Sequence, residues 1–142
     1  MRIHTSLIAG VALSAWIGAA DAAWVIIDGS YKDEITYFDP AHVRLEGTKA
    51  FYWLMSSYSS PRFLGGKWSQ SEITQSVVDC EKQLLATFFF VGYVGPNATG
   101  ETTYTIIIPE QQLQFHPVVP NSIGDRELEA ACSIWVREHQ GK

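Results

Sequence analysis

The chain has 142 residues, of which 46% are hydrophobic and 18% charged, and its 10 basic and 15 acidic side chains give a formal net charge of −5. This size and balance are typical of one globular domain with a buried core. Phosphates and anionic lipid headgroups attract concentrated Lys and Arg. A mildly acidic chain without a basic cluster therefore argues against a nucleic-acid partner and against binding to an anionic membrane surface.

The amino-terminal residues have the pattern of a cleavable secretory signal. Arg2 supplies a positive charge, and an apolar stretch centred on residues 7–17 follows it. This stretch is shorter than the roughly 20 apolar residues that a membrane-spanning helix needs. Ala20-Asp21-Ala22 then supplies small side chains at the two positions that signal peptidase recognises. We predict a signal peptide at 1–22 and a single mature domain at 23–142, with an uncleaved amino-terminal anchor as the alternative.

Both cysteines, Cys80 and Cys132, fall in the predicted mature domain. In an exported protein a single pair most simply forms one disulfide. Two free or metal-binding thiols are the alternative, but neither cysteine has the CxxC or histidine spacing of a metal site. Closing the loop would stabilise the fold by roughly 4 kcal/mol on loop-closure entropy, against a total stability of about 5 to 15 kcal/mol for a typical domain.

The first part of the predicted mature domain consists of short β-prone segments separated by turn residues. Most are rich in β-branched or aromatic side chains, and Gly, Pro or Asp residues punctuate them. This spacing favours an antiparallel meander with hairpin connections over parallel units joined by helices. The predicted strands are Trp24–Ile27, Ile35–Phe38, His42–Glu46 and Ala50–Met55.

Residues 56–68 interrupt the strand pattern with four serines, Pro61 and a Gly65-Gly66 pair, so we predict a long exposed loop here. Aromatic side chains beside Arg and Lys have the composition of an interface hot spot, although loop aromatics also pack back onto their own domain. The candidate binding residues of this loop are Tyr58, Arg62, Phe63, Lys67 and Trp68.

The middle of the chain is ambiguous, because residues 71–93 fit both a strand and a helix by their apolar spacing. Their Thr, Val and Phe content favours strands. Turn-forming residues 95–100 then connect residues 88–94 to residues 102–108, which predicts a hairpin. After Pro109 the chain is polar and marked by prolines, so we expect a surface connection without a regular element.

The last element is a predicted helix. Ser122 is a candidate N-cap with Asp125 three residues later, and acidic side chains favour the positive end of a helix dipole. Apolar residues then recur at helical spacing and define one buried face that includes Cys132, so a disulfide would attach this helix to the sheet. The predicted face consists of Leu128, Ala131, Cys132, Trp135 and Val136.

Familiar catalytic patterns are absent from the sequence, which has no GxSxG, HExxH, Walker or Rossmann glycine motif. His42, His116 and His139 are too far apart along the chain for metal-ligand spacing. We therefore predict no enzymatic activity, no catalytic or metal site and no cofactor. The large aromatic side chains are expected to fill the core: Trp24, Phe51, Trp53, Phe88, Phe90 and Trp135.

Several short motifs follow one another in an order that spans nearly the whole predicted mature domain. They are Trp24, Tyr37-Phe38-Asp39, Val43-Arg44, Trp53-Leu54, Asp79-Cys80 and Cys132. In this order the chain resembles the surface-adhesin protein E family of Gram-negative bacteria. The resemblance implies an α+β fold, in which an antiparallel sheet of about six strands packs against one carboxyl-terminal α-helix and a disulfide joins the two.

Members of the family that this chain resembles are adhesins, which are lipid-anchored in the outer membrane and bind host matrix and serum proteins. The resemblance therefore implies a related function for this chain. This chain has no cysteine at the predicted cleavage site and no later segment that could span a bilayer. We therefore expect no lipid anchor and no membrane span, and a periplasmic or secreted protein.

Our leading functional hypothesis is an exported non-enzymatic protein-binding module whose partner is a host matrix protein or a bacterial envelope protein. One alternative is a periplasmic small-molecule binder or hydrolase with a pocket between sheet and helix. The other is an envelope structural protein without a separate ligand.

Overall fold

A computed structural model describes residues 23–141, and the predicted signal peptide at 1–22 lies outside the described residues. In the described part of the chain, eight strands form one antiparallel sheet in the order β1-β2-β4-β5-β6-β7, with β3 paired to β4 and β8 paired to β6. The elements are β1 (Val25–Asp28), β2 (Glu34–Phe38), β3 (Arg44–Glu46), β4 (Lys49–Leu64), β5 (Lys67–Asp79), β6 (Leu84–Tyr93), β7 (Thr102–Ile107), β8 (His116–Pro117) and α1 (Ile123–Gln140). The α+β prediction is confirmed.

The predicted loop at 56–68 is wrong, because these residues form the distal half of a long hairpin. β4 has 16 residues and β5 has 13, and a two-residue Gly65-Gly66 turn joins them. Both glycines have positive φ, 55° and 81°, as a tight hairpin turn of type I′ requires. The serine-rich stretch fits a strand because residues 58–61 bulge opposite a single residue of β5, which places Pro61 where its missing N–H breaks no ladder bond.

The ambiguous residues 71–93 form strands, as predicted, in β5 and β6. The predicted hairpin between β6 and β7 is also confirmed. The connection after Pro109 is more regular than predicted, since it contains a short 3-10 helix at Glu110–Gln112 and the two-residue strand β8. β8 pairs with the first two residues of β6, so the chain continues the sheet where β7 does not reach.

Helix α1 packs on one face of the sheet, which we call the helix face, and the best-buried core lies between them. The core comprises Phe38, Ala50, Tyr52, Leu54, Val78, Ala131 and Cys132. The predicted N-cap is confirmed, because the Ser122 hydroxyl accepts a hydrogen bond from the Asp125 amide at 3.2 Å. The predicted disulfide is present between Cys80 and Cys132, with 5.6 Å between the two Cα atoms. Helix and sheet are thus linked covalently.

The buried face of α1 is rotated slightly from the predicted one. Val136 is exposed, whereas Glu127, which the apolar pattern passed over, is only 8% exposed. In helical projection Glu127 lies on the same side as Ala131, while Val136 falls at the edge of the stripe. A carboxyl group therefore lies in the interface between helix and sheet.

The opposite side of the sheet, which we call the aromatic face, carries most of the large rings that we predicted for the core. Strand alternation turns Tyr52 toward α1 and turns Phe51 and Trp53 away from it. Phe51 packs against Phe88 and Trp53 against Phe89 on this second face. All six predicted core aromatics are only half-buried. Among residues 23–141, the buried aromatic side chains are Phe38, Tyr52 and Tyr58 instead.

Candidate functional site

The tip of the β4–β5 hairpin exposes two large aromatic side chains. Phe63 and Trp68 are 62% and 65% exposed, and they are direct register partners across the hairpin. Their ring centroids lie 5.5 Å apart in an edge-to-face arrangement, which aromatic pairs prefer. Lys67, also exposed, adjoins the turn. The structure thus brings three of the five candidate residues together at one exposed tip.

The other two candidate residues support the hairpin from below. Tyr58 is buried, and the Arg62 guanidinium carbon lies 4.1 Å from the centroid of its ring. One Arg62 nitrogen donates a hydrogen bond to the Glu34 carboxylate at 2.9 Å, and another donates to the Asp33 carbonyl at 3.4 Å. Arg62 therefore ties the outer part of β4 to the start of β2.

The tip also contacts strand β7 directly. A Cβ atom built on Gly65 would lie 2.6 Å from the ring of Tyr104, so glycine permits the backbone of the turn to rest on that ring. The Ser69 and Thr103 hydroxyls are 2.6 Å apart and hydrogen-bonded. These contacts hold the hairpin over the sheet, so the exposed aromatic pair is carried by a supported strand end rather than by a free loop.

A small group of polar side chains lies beneath the hairpin. The Tyr104 hydroxyl donates a hydrogen bond to the Glu72 carboxyl, and burial raises the pKa of Glu72 above its usual value. Burial, together with the charges of Glu72 and Glu34, raises the pKa of Tyr58 to about 12. Both phenols stay protonated at neutral pH, so this layer supplies hydrogen bonds that fix the hairpin rather than reactive groups.

The alternative of a ligand pocket between sheet and helix depends on the surroundings of Glu127. Its carboxylate accepts a 2.9 Å hydrogen bond from the Tyr52 hydroxyl, and both side chains are buried. The described part of the chain has five main cavities, and Glu127 lines none of these five. A buried acid is present, as that alternative requires, but the carboxyl is closed off by core packing.

The two largest of those cavities, about 490 and 430 Å³, lie on the aromatic face. The second contains a pair that sequence reasoning missed: the Asp39 carboxylate and the His42 ring nitrogen Nδ1 are 2.6 Å apart. The sequence did contain a local signal for this pair. Asp39 precedes Pro40, as is typical of a residue that caps a helix, and a short 3-10 helix places the side chain three residues later beside its cap. The walls of the cavity come from distant strands and give no local signal.

The remaining histidines lie apart from this pair. His139 stacks on the Trp135 indole and contacts its carbonyl at 2.8 Å, as expected near a helix end. His116 is exposed in β8. No group of three or more potential metal ligands forms among residues 23–141. Within the same residues, no helix combines the length and apolar content needed to cross a bilayer.

Fold and surface together define a small disulfide-linked α+β module, in which one helix closes one face of an antiparallel sheet. Residues 24–133 match the family described as surface-adhesin protein E, and the chain belongs to that family. No curated protein matches the chain at a significant level.

Solved structures of Haemophilus influenzae protein E share the fold at low sequence identity. Crystal form II of that protein is 10% identical, with a TM-score of 0.55, and the match covers 69% of this chain and 80% of that one. A second protein E structure gives a TM-score of 0.53 at 10% identity, with coverage of 69% and 76%. A selenomethionine form gives 0.53 at 10% identity, with coverage of 69% and 78%. At this identity the likeness concerns the fold alone.

Proposed function

We propose that this chain is an exported, non-enzymatic protein-binding module of the adhesin type, which contacts its partner through the tip of the β4–β5 hairpin. The observation that carries the proposal is the exposed Phe63–Trp68 pair, held in place by Arg62 and Tyr104. Family membership supports an adhesin function.

The energetics of association favour such a tip. Rigid aromatic side chains bring a large apolar contact area with few rotatable bonds, and a tip that is already ordered loses little conformational entropy on binding. Aromatic and basic residues are also the types enriched at interface hot spots. Phe63, Trp68 and Lys67 supply this combination within one hairpin turn.

A separate observation, the disulfide, supports export. The bond between Cys80 and Cys132 requires an oxidising compartment, and export directed by the predicted signal peptide would bring the chain into one. We place the protein in the periplasm or outside the cell, with a host matrix protein or a bacterial envelope protein as its partner.

The test is a binding assay of the oxidised protein on a panel of purified host matrix, serum and bacterial envelope proteins. The variant Phe63→Ala/Trp68→Ala should keep its melting temperature within about 2 °C and lose at least about tenfold in affinity for the captured partner. The matched control, Ile107→Ala/Val119→Ala, removes apolar side chains that are 67% and 65% exposed elsewhere. Equal losses in both variants, or unfolding of the tip variant alone, would refute the proposal.

A further inference from the structure

The cavity of about 430 Å³ on the aromatic face is a second candidate site, separate from the hairpin tip. Its apolar wall consists of Trp24, Trp53, Ile73, Phe89, Val91 and Tyr93, and its polar edge consists of Asp39 and His42. Trp53 and Phe89 meet edge to face with 5.7 Å between ring centroids. We call this site the aromatic cleft. Its size falls in the range of small-molecule sites, and its wall is predominantly aromatic.

The polar edge of the cleft is built rather than incidental. Asp39 is only 3% exposed, and its backbone amide donates to the Trp53 carbonyl at 3.2 Å, which fixes it beside the indole. One carboxylate oxygen accepts the Ala41 amide at 3.0 Å, and the other lies 2.6 Å from Nδ1 of His42. The carboxylate thus has a hydrogen-bond donor on each oxygen and holds the imidazole in one orientation.

The orientation of His42 determines what the cleft can recognise. A carboxylate can only accept hydrogen bonds, so Nδ1 of His42 carries the proton that it donates to Asp39. In the neutral imidazole the remaining nitrogen, Nε2, is then an acceptor. His42 lines the cleft and its side chain is 50% exposed, so the imidazole is open to a ligand. The cleft therefore combines aromatic faces with one oriented acceptor at the edge.

We propose that the aromatic cleft binds the pyranose ring of a glycan. One face of a pyranose presents C–H groups, which carry a small positive charge and pack against the negative face of an aromatic ring. The ring edge carries hydroxyl groups, which donate to an acceptor such as Nε2 of His42. A pyranose supplies both features in one rigid unit of suitable size.

Other ligand classes fit the cleft less well. A phosphate or carboxylate would face the buried negative charge of Asp39. A quaternary ammonium would find aromatic rings, but the carboxylate that could attract it is covered by His42. A plain apolar ring would leave the acceptor of His42 without a partner. A tyrosine side chain of a partner protein is the nearest competitor, because it also joins a flat apolar ring to a hydroxyl.

The inference is independent of the proposed hairpin interface. The cleft lies on the aromatic face, whereas the hairpin tip rests on Tyr104. Tyr104 pairs with Gly92, and Gly92 pairs with Glu72 in the next strand, so these residues lie on the same side of the sheet. That side is the helix face, to which Leu54 also belongs. Loss of sugar binding would leave the protein-binding proposal standing, and the converse also holds.

The test uses the oxidised ¹⁵N-labelled protein, titrated with methyl β-galactopyranoside, methyl α-mannopyranoside and N-acetylglucosamine. At least one glycoside should shift the indole N–H resonances of Trp24 and Trp53 saturably. His42→Ala and Trp24→Leu should each weaken that binding by about tenfold, while the control His116→Ala, which removes an exposed histidine elsewhere, should not. Melting temperatures of all three variants would show that the fold is retained.

Three outcomes would overturn the inference. The first is that no glycoside shifts either indole resonance at tens of millimolar. The second is that the shifts occur but survive both the His42→Ala and the Trp24→Leu substitutions. The third is that N-acetyl-tyrosinamide binds the cleft and the glycosides do not, which would assign the cleft to a protein side chain instead.

Discussion

The Glu127 carboxyl accepts a 2.9 Å hydrogen bond from the Tyr52 hydroxyl inside the interface between α1 and the sheet. Burial raises the pKa of Glu127 to about 7, although the hydrogen bond from Tyr52 acts in the opposite direction. Burial also raises the pKa of Tyr52, and the adjacent carboxylate adds to that effect, so the phenol remains the donor at every physiological pH. The ionisation state of this one carboxyl group therefore affects how well the helix packs on the sheet.

The first prediction is that the free energy of unfolding falls as pH rises from about 4.5 to 7. Glu127 has a higher pKa in the folded protein than in the unfolded chain, so the folded state binds more protons in this interval and ionisation favours unfolding. The loss amounts to about 3 kcal/mol once the pH exceeds the folded pKa. Urea unfolding curves at several pH values would measure it.

Glu127→Gln should remove most of that pH dependence, because glutamine stays neutral and still accepts the Tyr52 hydrogen bond. The variant should be more stable than the parent protein at pH 8 and similar to it at pH 4. Glu129→Gln is the matched control, since Glu129 lies on the exposed side of the same helix. A pH dependence that persists unchanged in Glu127→Gln would show that other groups cause it.

The second prediction concerns the disulfide, which joins residues 52 positions apart in the chain. Replacing both cysteines by alanine should lower the free energy of unfolding by up to about 4 kcal/mol, mainly by releasing the unfolded chain from a closed loop. The amides of α1 should also exchange with solvent faster, since only non-covalent contacts then hold the helix on the sheet. Hydrogen exchange measures this. Equal protection of α1 in the oxidised parent and the Cys80→Ala/Cys132→Ala variant would contradict it.

The parts of the fold that sequence predicted are those with local signals. The N-cap at Ser122 and the turn residues 95–100 act on their own neighbours, so composition and spacing alone located α1 and the β6–β7 hairpin. The pairing of Cys80 with Cys132 needed no geometry, because two cysteines allow one connectivity.

The long β4–β5 hairpin was missed because its signals conflicted. Serines and Pro61 are typical of loops, whereas Gly65-Gly66 flanked by aromatic residues is also a hairpin signal. The bulge at residues 58–61 explains how both signals occur in one hairpin. These loop-like residues are not paired with β5, and the strand pairing resumes at Arg62.

The aromatic cleft was missed for a different reason. Asp39 and His42 are close in sequence, but the wall of the cleft depends on pairing across β4, β5 and β6. Aromatic residues such as Trp53 also looked like core residues, because hydrophobicity does not reveal which face of a sheet a helix covers. Helix α1 packs on the face that carries Tyr52, so the opposite face, with Trp53, is left uncovered by the helix.

The third prediction separates backbone strain from side-chain contact at the hairpin turn. Both turn glycines have positive φ, so alanine should destabilise the protein by about 1 kcal/mol at either position. A Cβ atom at Gly65 would also meet the Tyr104 ring at 2.6 Å, whereas nothing lies within 4 Å of one at Gly66. Gly65→Ala should therefore be worse than Gly66→Ala by a further 1 to 3 kcal/mol or so, as for an overpacked contact.

A double-mutant cycle tests the cause of that difference. In a Tyr104→Ala background the ring is gone, so Gly65→Ala and Gly66→Ala should have nearly equal effects on the free energy of unfolding. If the gap between them persists without the ring, the contact with Tyr104 is not its origin.

The fourth prediction compares two arginines that each lie over an aromatic ring and pair with a glutamate. The Arg62 guanidinium carbon is 4.1 Å from the Tyr58 ring centroid and Arg44 is 4.0 Å from that of Phe51. The partner Glu34 side chain is 18% exposed, whereas the Glu46 side chain that pairs with Arg44 is 58% exposed. Because solvent screens the exposed pair, Arg62→Gln should destabilise the protein by about 1 kcal/mol more than Arg44→Gln.

Salt dependence identifies the electrostatic part of that difference. Raising the ionic strength to about 1 M shortens the screening length to about 3 Å, yet it weakens a half-buried pair less than an exposed one. The excess effect of Arg62→Gln over Arg44→Gln should therefore persist at high salt, and it should largely disappear in a Glu34→Gln background. If Arg62→Gln and Arg44→Gln are equally mild at low salt, stacking alone holds Arg62, and the tie between β2 and the hairpin contributes nothing measurable to stability.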